Sequence, residues 1–233
     1  MSVLEFDVPN SELDRERNVR IEVLANSIEI MIKRLSPDAK IGLDIGCQRG
    51  QITEIISNNT GINFFGIEPD LNEVLRSPEN INIKQGFADD LPFPDSSFDI
   101  VTILSVIEHI PPLSLLPSFT EIFRVLKPEG YCIGQIPNMN FPIEVHSQLP
   151  FQQFLPSKIQ NKYLNIFSKN KDLKTEWYRT SIKKVHSLAI KVGFKEIKIT
   201  PYLYPKEVFP SKLLIFYPVL NIFPLDYVFW FKK

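Results

Sequence analysis

The stretch IGLDIGCQRG, residues 41–50, determines how the rest of the sequence is interpreted. A short, mostly apolar run is followed by Gly46, three other residues and Gly50. This pattern predicts a buried strand that turns tightly into a helix. Glycines at such a turn let the backbone approach a bound molecule closely, because no Cβ intervenes. A tight strand-to-helix turn also requires glycine for its own geometry, so the loop alone is a weak signal of binding.

Strands and helices alternate on both sides of this stretch. We predict helices over 11–35, 51–57, 71–76, 115–126 and 180–192, and strands over 41–46, 63–68, 80–85, 99–105, 130–137, 194–200 and 227–231. Strands alternating with helices indicate an α/β fold with a parallel sheet between two layers of helices. The run at 99–105 is nearly all apolar, as expected of a strand that is buried on both faces.

The overall charge gives no case for a nucleic-acid partner. The 233 residues include 26 Lys or Arg and 27 Asp or Glu, for a formal net charge of −1. The basic residues are unevenly distributed, because 157–198 holds eleven of them against three acids, a net of +8. That segment is either a solvated helical surface or a basic face for an anionic substrate or membrane head groups.

The cysteine content and the two ends of the sequence favour a cytoplasmic location. Cys47 and Cys132 are too few for a disulfide framework and suit a reducing compartment. The first 17 residues lack the apolar core of a signal peptide. The apolar tail, 208–233, is interrupted by three prolines, and we interpret it as a helix followed by the last strand. Contact of this tail with the inner face of a membrane is an alternative.

An acid at the end of the second predicted strand suggests what the glycine loop binds. Glu68 lies about twenty residues after the loop, where a carboxylate can hold both hydroxyls of a ribose. The pyrophosphate-binding pattern G-x-G-x-x-G is poorly matched, and the P-loop pattern G-x-x-x-x-G-K-[ST] is absent. We therefore expect an adenosine-type ligand that has no pyrophosphate.

Five motifs in order resemble those of the class I S-adenosylmethionine-dependent methyltransferases. They are LDIGCQRG (43–50), GIEPD (66–70), ADDLPFPDSSFDIV (88–101), SVIEHI (105–110), interpreted as the helix after strand four, and VLKPEGYCIGQIPN (125–138). The sequence is most similar to methyltransferases of types 11 and 23. A subgroup acting on cell-envelope saccharides is suggested by the run after strand five. The resemblance implies S-adenosylmethionine as cofactor and S-adenosylhomocysteine as product.

This resemblance also implies how the domain is built. We expect a single Rossmann-like, doubly wound domain over 1–233, whose seven-stranded sheet is mostly parallel with an antiparallel last strand. Its parts are an N-terminal helix (11–35), a cofactor-binding core (38–138), a substrate cap (139–179) and a C-terminal helix with strands (180–233). The cap follows from the proline- and aromatic-rich run after Pro137, which fits neither periodicity.

The resemblance assigns cofactor contacts to residues at four strand ends. The glycine loop would shape the methionine side, Glu68 would hold the ribose, 87–89 would flank the adenine, and the end of strand four would lie under the sulfonium. The residues assigned are Asp44, Gly46, Cys47, Gln48, Gly50, Glu68, Pro69, Phe87, Ala88, Asp89, Leu104 and Ser105.

Three residues depart from the family pattern. Gln48 stands where the family usually has glycine, and Phe87 stands where many members have an aspartate for the adenine amino group. Phe87 would then stack or merely pack, and Asp89 would take the polar role. Glu129 replaces a turn glycine, where we expect little effect. These departures are the basis of one alternative, a non-catalytic binding protein that keeps the fold.

Methyl transfer to a hydroxyl requires positioning and gains from a general base. The candidate catalytic residues are His109, Glu144 and His146, the last two in the predicted cap. Quinone O-methyltransferases of similar sequence are expected to carry a glutamate three residues before Glu108, where this sequence has Ser105, so we expect no metal.

The expected activity is O-methylation of a small-molecule or saccharide- or lipid-linked acceptor, and the alternative acceptor is a quinone or another aromatic. A nucleic-acid acceptor is disfavoured because no N-P-P-[YF] motif follows strand four.

Overall fold

The computed structural model describes residues 12–142, 149–167, 178–202, 215, 218 and 224–233. Its helices are α1 (Glu12–Leu35), α2 (Gln51–Thr60), α3 (Leu71–Leu75), α4 (Leu115–Val125), α5 (Ser157–Phe167) and α6 (Ile182–Val192). Its strands are β1 (Ile41–Ile45), β2 (Asn63–Glu68), β3 (Asn82–Gln85), β4 (Phe98–Leu104), β5 (Leu126–Pro137), β6 (Glu196–Tyr202) and β7 (Asp226–Lys232).

The seven strands form one sheet in the order β3-β2-β1-β4-β5-β7-β6. Strands β1 to β5 pair in parallel, whereas β7 is antiparallel to both β5 and β6. The predicted α/β fold with an antiparallel last strand is therefore confirmed. The chain leaves β1 towards β2 and β3 and later returns to β4 on the other side of β1. The strand order thus reverses between β1 and β4, the position at which open α/β sheets bind ligands.

Apolar side chains fill the space on both faces of the sheet. On one face, α1 and α2 contribute Leu24, Ile28 and Ile56 to a cluster with Phe64 and Ile100. On the other face, the buried side chains of α4 and α6 pack against alternate residues of β1, β4, β5 and β7. The strands that are buried on both faces are therefore the apolar ones, as their sequences predict.

Most predicted elements differ from the structure by one to four residues at a boundary, and one predicted helix is replaced by a different element. Strand β5 begins at Leu126 rather than 130, because Leu126 pairs with Phe98 before the register shifts at a bulge. Strand β3 begins at Asn82 rather than 80. The motif SVIEHI, predicted as the helix after strand four, forms only a single 3-10 turn at Ile107–His109. The helix predicted before the last strand falls largely outside the described residues.

Among the residues that the structure describes, no helix is both long enough and apolar enough to cross a membrane.

Candidate functional site

The loop after β1 adopts the backbone geometry that its glycines allow. Gly46 and Gly50 have φ of 69° and 79°, in the left-handed region that favours glycine. The amide of Gly46 donates to the carbonyl oxygen of Ile67 at 2.7 Å, which attaches the loop to the end of β2. A Cβ built on Gly46 would lie 2.4 Å from Cγ2 of Val106, so the loop also lies directly against the segment after β4.

Gln48 occupies a conformation that normally calls for glycine. Its φ of 51° is left-handed, which costs a side chain-bearing residue roughly 1–2 kcal/mol. Its amide donates to Oε2 of Glu68 at 2.8 Å, a charge-assisted hydrogen bond that offsets part of this cost. The unusual residue therefore leaves the loop in the conformation that a glycine would adopt.

Glu68 lies at the end of β2 with 7% of its surface exposed. Its two carboxylate oxygens accept from different amides, Oε2 from Gln48 and Oε1 from Asp70 at 3.0 Å. Each carboxylate oxygen can accept a second hydrogen bond. The carboxylate is thus held in one orientation by the backbone and retains capacity for two further donors, such as the hydroxyls of a ribose.

Asp44 is buried in the middle of the sheet beside the loop. Its oxygens accept from the hydroxyls of Thr53 at 2.6 Å and Thr102 at 2.7 Å, which joins β1 to α2 and β4. Burial raises the pKa of Asp44 to about 6, against the opposing effect of the two threonine hydrogen bonds, and the nearby charge of Glu68 adds to the increase. The side chain is therefore both a structural link and a carboxyl that titrates near neutrality.

Cys47 faces the sheet beneath the loop. A Cβ built on Gly66 would lie 2.5 Å from Sγ of Cys47, so the sulfur fills the space that this glycine leaves in β2. Burial raises the pKa of the Cys47 thiol above its ordinary value, and the carboxylates of Asp44 and Glu68 add to the effect. The thiol is therefore neutral and packs against the strand.

The segment after β3 lies beside Glu68 and carries an exposed aromatic ring. The amide of Gly86 donates to the carbonyl oxygen of Glu68 at 3.1 Å, and Gln85 bonds the carbonyl of Pro69 through its side chain. Phe87 follows with 61% of its surface exposed, so it does not pack into the core as one prediction allowed. Its ring is available to stack on a planar group. Ala88 and Asp89 are partly buried.

The end of β4 is joined to the end of β5. Leu104 is 9% exposed and packs towards α1. Ser105, with φ of 55°, donates its amide to the carbonyl of Gln135 at 3.0 Å and its hydroxyl to the side-chain oxygen of the same residue. The predicted cofactor residues therefore converge from β1, β2, β3 and β4 on the switch point.

The candidate catalytic residues are less well defined. The side chain of His109 is exposed in the 3-10 turn that follows β4, on the carboxyl edge of the sheet. Glu144 and His146 fall outside the described residues. Their assignment as acid or base therefore stays a prediction.

Three polar residues at the same edge, Asn138, Tyr202 and Asp226, were not among the predicted site residues, although Asn138 ends the fifth motif. Asp226, the first residue of β7, is 1% exposed and lies opposite Pro137 of β5 and Tyr202 of β6. Asn138 donates its side chain to the carbonyl of Pro224 at 2.7 Å, which fixes the entry to β7. The Tyr202 hydroxyl lies 3.0 Å from Oγ of Ser27 in α1, and burial together with Asp226 raises the pKa of this tyrosine. Only the antiparallel return of β7 brings Asp226 here.

Sequence comparisons find methyltransferases among the proteins that this chain resembles. Residues 43–134 match the family model described as a methyltransferase domain. The sterol 24-C-methyltransferase of Yarrowia lipolytica is 35% identical over 106 residues, which cover 41% of this chain and 27% of that protein. The demethylmenaquinone methyltransferase of Lactobacillus johnsonii is 33% identical over 99 residues, 38% of this chain and 40% of that protein. The chain thus matches less than half the length of either relative.

Solved structures extend the similarity of fold to nearly the whole chain. A Thermotoga maritima protein described as an S-adenosylmethionine-dependent methyltransferase superposes with a TM-score of 0.60 at 21% identity, covering 94% of this chain and 95% of its own. The Haemonchus contortus phosphoethanolamine N-methyltransferase 2, solved with S-adenosylmethionine, superposes with a TM-score of 0.58 at 16% identity, covering 88% and 51%. Residues 43–134 thus match a methyltransferase domain, and the ordered motifs and the sheet order of the chain are similar to those of the class I S-adenosylmethionine-dependent methyltransferase superfamily.

Proposed function

We propose that the protein transfers the methyl group of S-adenosylmethionine to an oxygen of a small-molecule, saccharide or lipid-linked acceptor. The observation that carries the proposal is the placement of Glu68. It is a carboxylate oriented by two backbone amides, beside a left-handed glycine loop and at the switch point of the sheet. This arrangement suits an adenosine ribose, because the carboxylate can accept two further hydrogen bonds beyond those from the Gln48 and Asp70 amides.

The remaining groups would hold the other parts of the cofactor. The exposed ring of Phe87 would stack on the adenine, with Asp89 as a candidate for its amino group. The backbone of Gly46 would line the methionine portion, and the Asp44 carboxylate beneath it would favour a cationic ligand by its charge. Bound there, the cofactor supplies an already activated methyl group on a sulfonium.

The protein's part in the reaction is then to position the acceptor. Methyl transfer is an in-line displacement, so the acceptor atom must lie on the side of the methyl group opposite the sulfur. The carboxyl ends of β4 and β5 and the first residue of the antiparallel β7 lie at this edge of the sheet, with His109 and Asp226 among their polar groups. A base here would take the proton of an acceptor hydroxyl as the new bond to carbon forms.

A quinone or another aromatic ring is the second candidate acceptor. The similarity to a demethylmenaquinone methyltransferase favours it, as does the aromatic content of the cap, where Phe151 and Phe154 are both exposed. A hydroxyl of the reduced ring can be methylated once a base takes its proton, which requires the same alignment. Methylation at a ring carbon would in addition require that carbon to lose its hydrogen as a proton after the methyl group is attached. The two candidates therefore differ in the shape of the acceptor site.

The first test is a calorimetric titration of the full chain with S-adenosylmethionine. We expect saturable binding by the wild type and a loss of about 100-fold or more in affinity for Glu68→Ala, because the ribose loses a charged acceptor. Glu79→Ala, which changes an exposed glutamate before β3, is the control and should bind as the wild type does. A folded wild type that does not bind would overturn the proposal.

The acceptor is identified next, with cofactor that carries a labelled methyl group. Lipid-linked saccharides and reduced quinones are supplied separately, and label in the extracted product is counted. Turnover with either class supports the enzyme. Tight cofactor binding without turnover across both classes would favour the alternative of a non-catalytic binding protein.

A further inference from the structure

Helix α5 presents apolar side chains to the outside of the molecule. Ile159, Ile166 and Phe167 are 51%, 62% and 59% exposed, and the ring of Tyr163 lies 5.0 Å from that of Phe167. We refer to Ile159, Tyr163, Ile166 and Phe167 as the cap stripe. Isoleucine and phenylalanine are ordinarily buried, so this helix exposes the residue types that a core would take.

The cap stripe is one continuous face of the helix. At 3.6 residues per turn, Ile159 and Ile166 project within about 20° of each other, with Tyr163 and Phe167 beside them. Leu164 projects about 140° away from Ile159 and about 60° from Phe167 and is only 3% exposed, so it anchors α5 to the rest of the protein. The apolar face that points outward is therefore separate from the contact that holds the helix in place.

Exposed apolar side chains are concentrated around this helix. Of the fourteen large hydrophobic residues that are exposed within the described part of the chain, six lie in 151–178. Phe151 and Phe154, 61% and 45% exposed, precede α5 in the sequence. Apolar residues scattered singly over a surface need no explanation, but a concentration of them marks a surface that binds something.

The surroundings of the cap stripe are positively charged. Lys162 is exposed on its flank, and Arg179 lies 5.1 Å from the centre of the Phe154 ring. The described residues 149–167, which include α5, contain the basic residues Lys158 and Lys162 and no acid. A second copy of this surface would carry the same charge and be repelled, whereas an anionic surface would be attracted.

We propose that the cap stripe docks on the surface of an anionic phospholipid bilayer. Helix α5 would lie in the plane of the interface, with its isoleucines and aromatic rings among the acyl chains near the head groups and its lysines at the phosphates. The sequence had suggested a membrane contact through the C-terminal tail, most of which lies outside the described residues. The described structure instead favours the cap, and the inference does not depend on methyl transfer.

Vesicle flotation with the full-length protein tests the proposal. Vesicles are prepared from phosphatidylcholine alone or from phosphatidylcholine with phosphatidylglycerol, and the fraction of protein that floats is measured. We expect binding to the anionic vesicles that weakens as salt is added, and little binding to the neutral ones. Ile159→Gln with Ile166→Gln should lower the partition by about tenfold or more, because two apolar anchors are lost.

A matched double variant controls for the loss of hydrophobicity itself. Ile30→Gln with Ile190→Gln changes two isoleucines that are 67% and 57% exposed on α1 and α6, and it should float as the wild type does. Lys162→Glu should reduce binding to anionic vesicles alone. Circular dichroism and the cofactor titration establish that each variant is folded, and failure of that titration in the wild type would not bear on docking.

Two results with vesicles would overturn the inference. One is wild-type protein that stays with neither kind of vesicle. The other is binding that the cap-stripe variant and the control variant lose equally. The alternative occupant of the cap stripe is a second copy of the chain, and sedimentation at several protein concentrations tests for it. Self-association that the cap-stripe variant abolishes would assign this face to a second copy and overturn the inference.

Discussion

The two sides of the candidate site differ in how far apart in the chain their residues are. The proposed cofactor side uses residues 44–50, 68–70 and 86–89, in which neighbours in the sequence are also neighbours in the fold. The proposed acceptor side would join the 3-10 turn after β4, the end of β5, the predicted cap and the first residue of β7, which are up to 119 residues apart in the chain. A site made of short local loops can be recognised in a sequence, whereas a site assembled by topology cannot.

The largest effect on the proposed cofactor side is expected from Gly46→Ala. The new Cβ would lie 2.4 Å from Val106 and would also require a left-handed backbone. We expect a loss of about 3 kcal/mol in the free energy of unfolding, measured by urea denaturation, because a steric clash adds to backbone strain.

Gly61→Ala isolates the strain from the clash. Gly61 has a similar φ of 72°, but a Cβ there would meet nothing within 4 Å. We expect a loss of about 1 kcal/mol, with cofactor affinity unchanged. Equal losses in the two variants would show that Val106 yields and that the loop does not depend on the close contact.

The pH dependence of stability probes Asp44. Its folded-state pKa of about 6 lies above the ordinary value of 3.8, so the folded protein holds this proton more tightly than the unfolded chain does. The contribution of this group is therefore full at low pH and is lost as pH rises from about 4 to 6.

The variant Asp44→Asn cannot lose that proton. We expect the wild type to lose about 2 kcal/mol relative to Asp44→Asn between pH 4 and pH 7, measured as the difference in unfolding free energy. Carboxyls other than Glu68, whose charge acts on Asp44, contribute equally to both proteins and cancel in the difference. A constant difference across this range would mean that Asp44 is ionised throughout.

Asp226 is a buried aspartate on the proposed acceptor side, as Asp44 is on the proposed cofactor side. With an acceptor identified, Asp226→Asn should lower the rate of methyl transfer by about tenfold while cofactor affinity stays the same, because a polar group at the ends of β5 and β6 positions the acceptor. Asp38→Asn, at an exposed turn, is the control. If cofactor affinity falls together with the rate, Asp226 supports the sheet rather than the acceptor.

The contrast between local loops and residues brought together by the strand order also explains which features the sequence could predict. The sheet, its antiparallel β7 and the location of Glu68 follow from the alternation of elements and from motifs within 43–138. The 3-10 turn at 107–109 was missed because its apolar spacing resembles that of a helix, although Pro111 and Pro112 follow at once. The burial of Asp226 was missed because a strand that starts after 88 intervening residues has no local signal for its neighbour.

The smallest expected effect tests whether the cofactor loop has lost its function. Gln48→Gly relieves the left-handed strain of φ 51°, yet glycine also gains freedom in the unfolded chain, so the two effects nearly cancel. We expect a stability change of about 0.5 kcal/mol or less. Cofactor affinity should change by less than about twofold, because Glu68 is held by the backbone amide and not by the glutamine side chain. An increase in affinity of about tenfold or more on removing this side chain would mean that Gln48 obstructs the site in the wild type. That result would favour the alternative of a non-catalytic binding protein, because the loop would keep the family's geometry while its own side chain hinders cofactor binding.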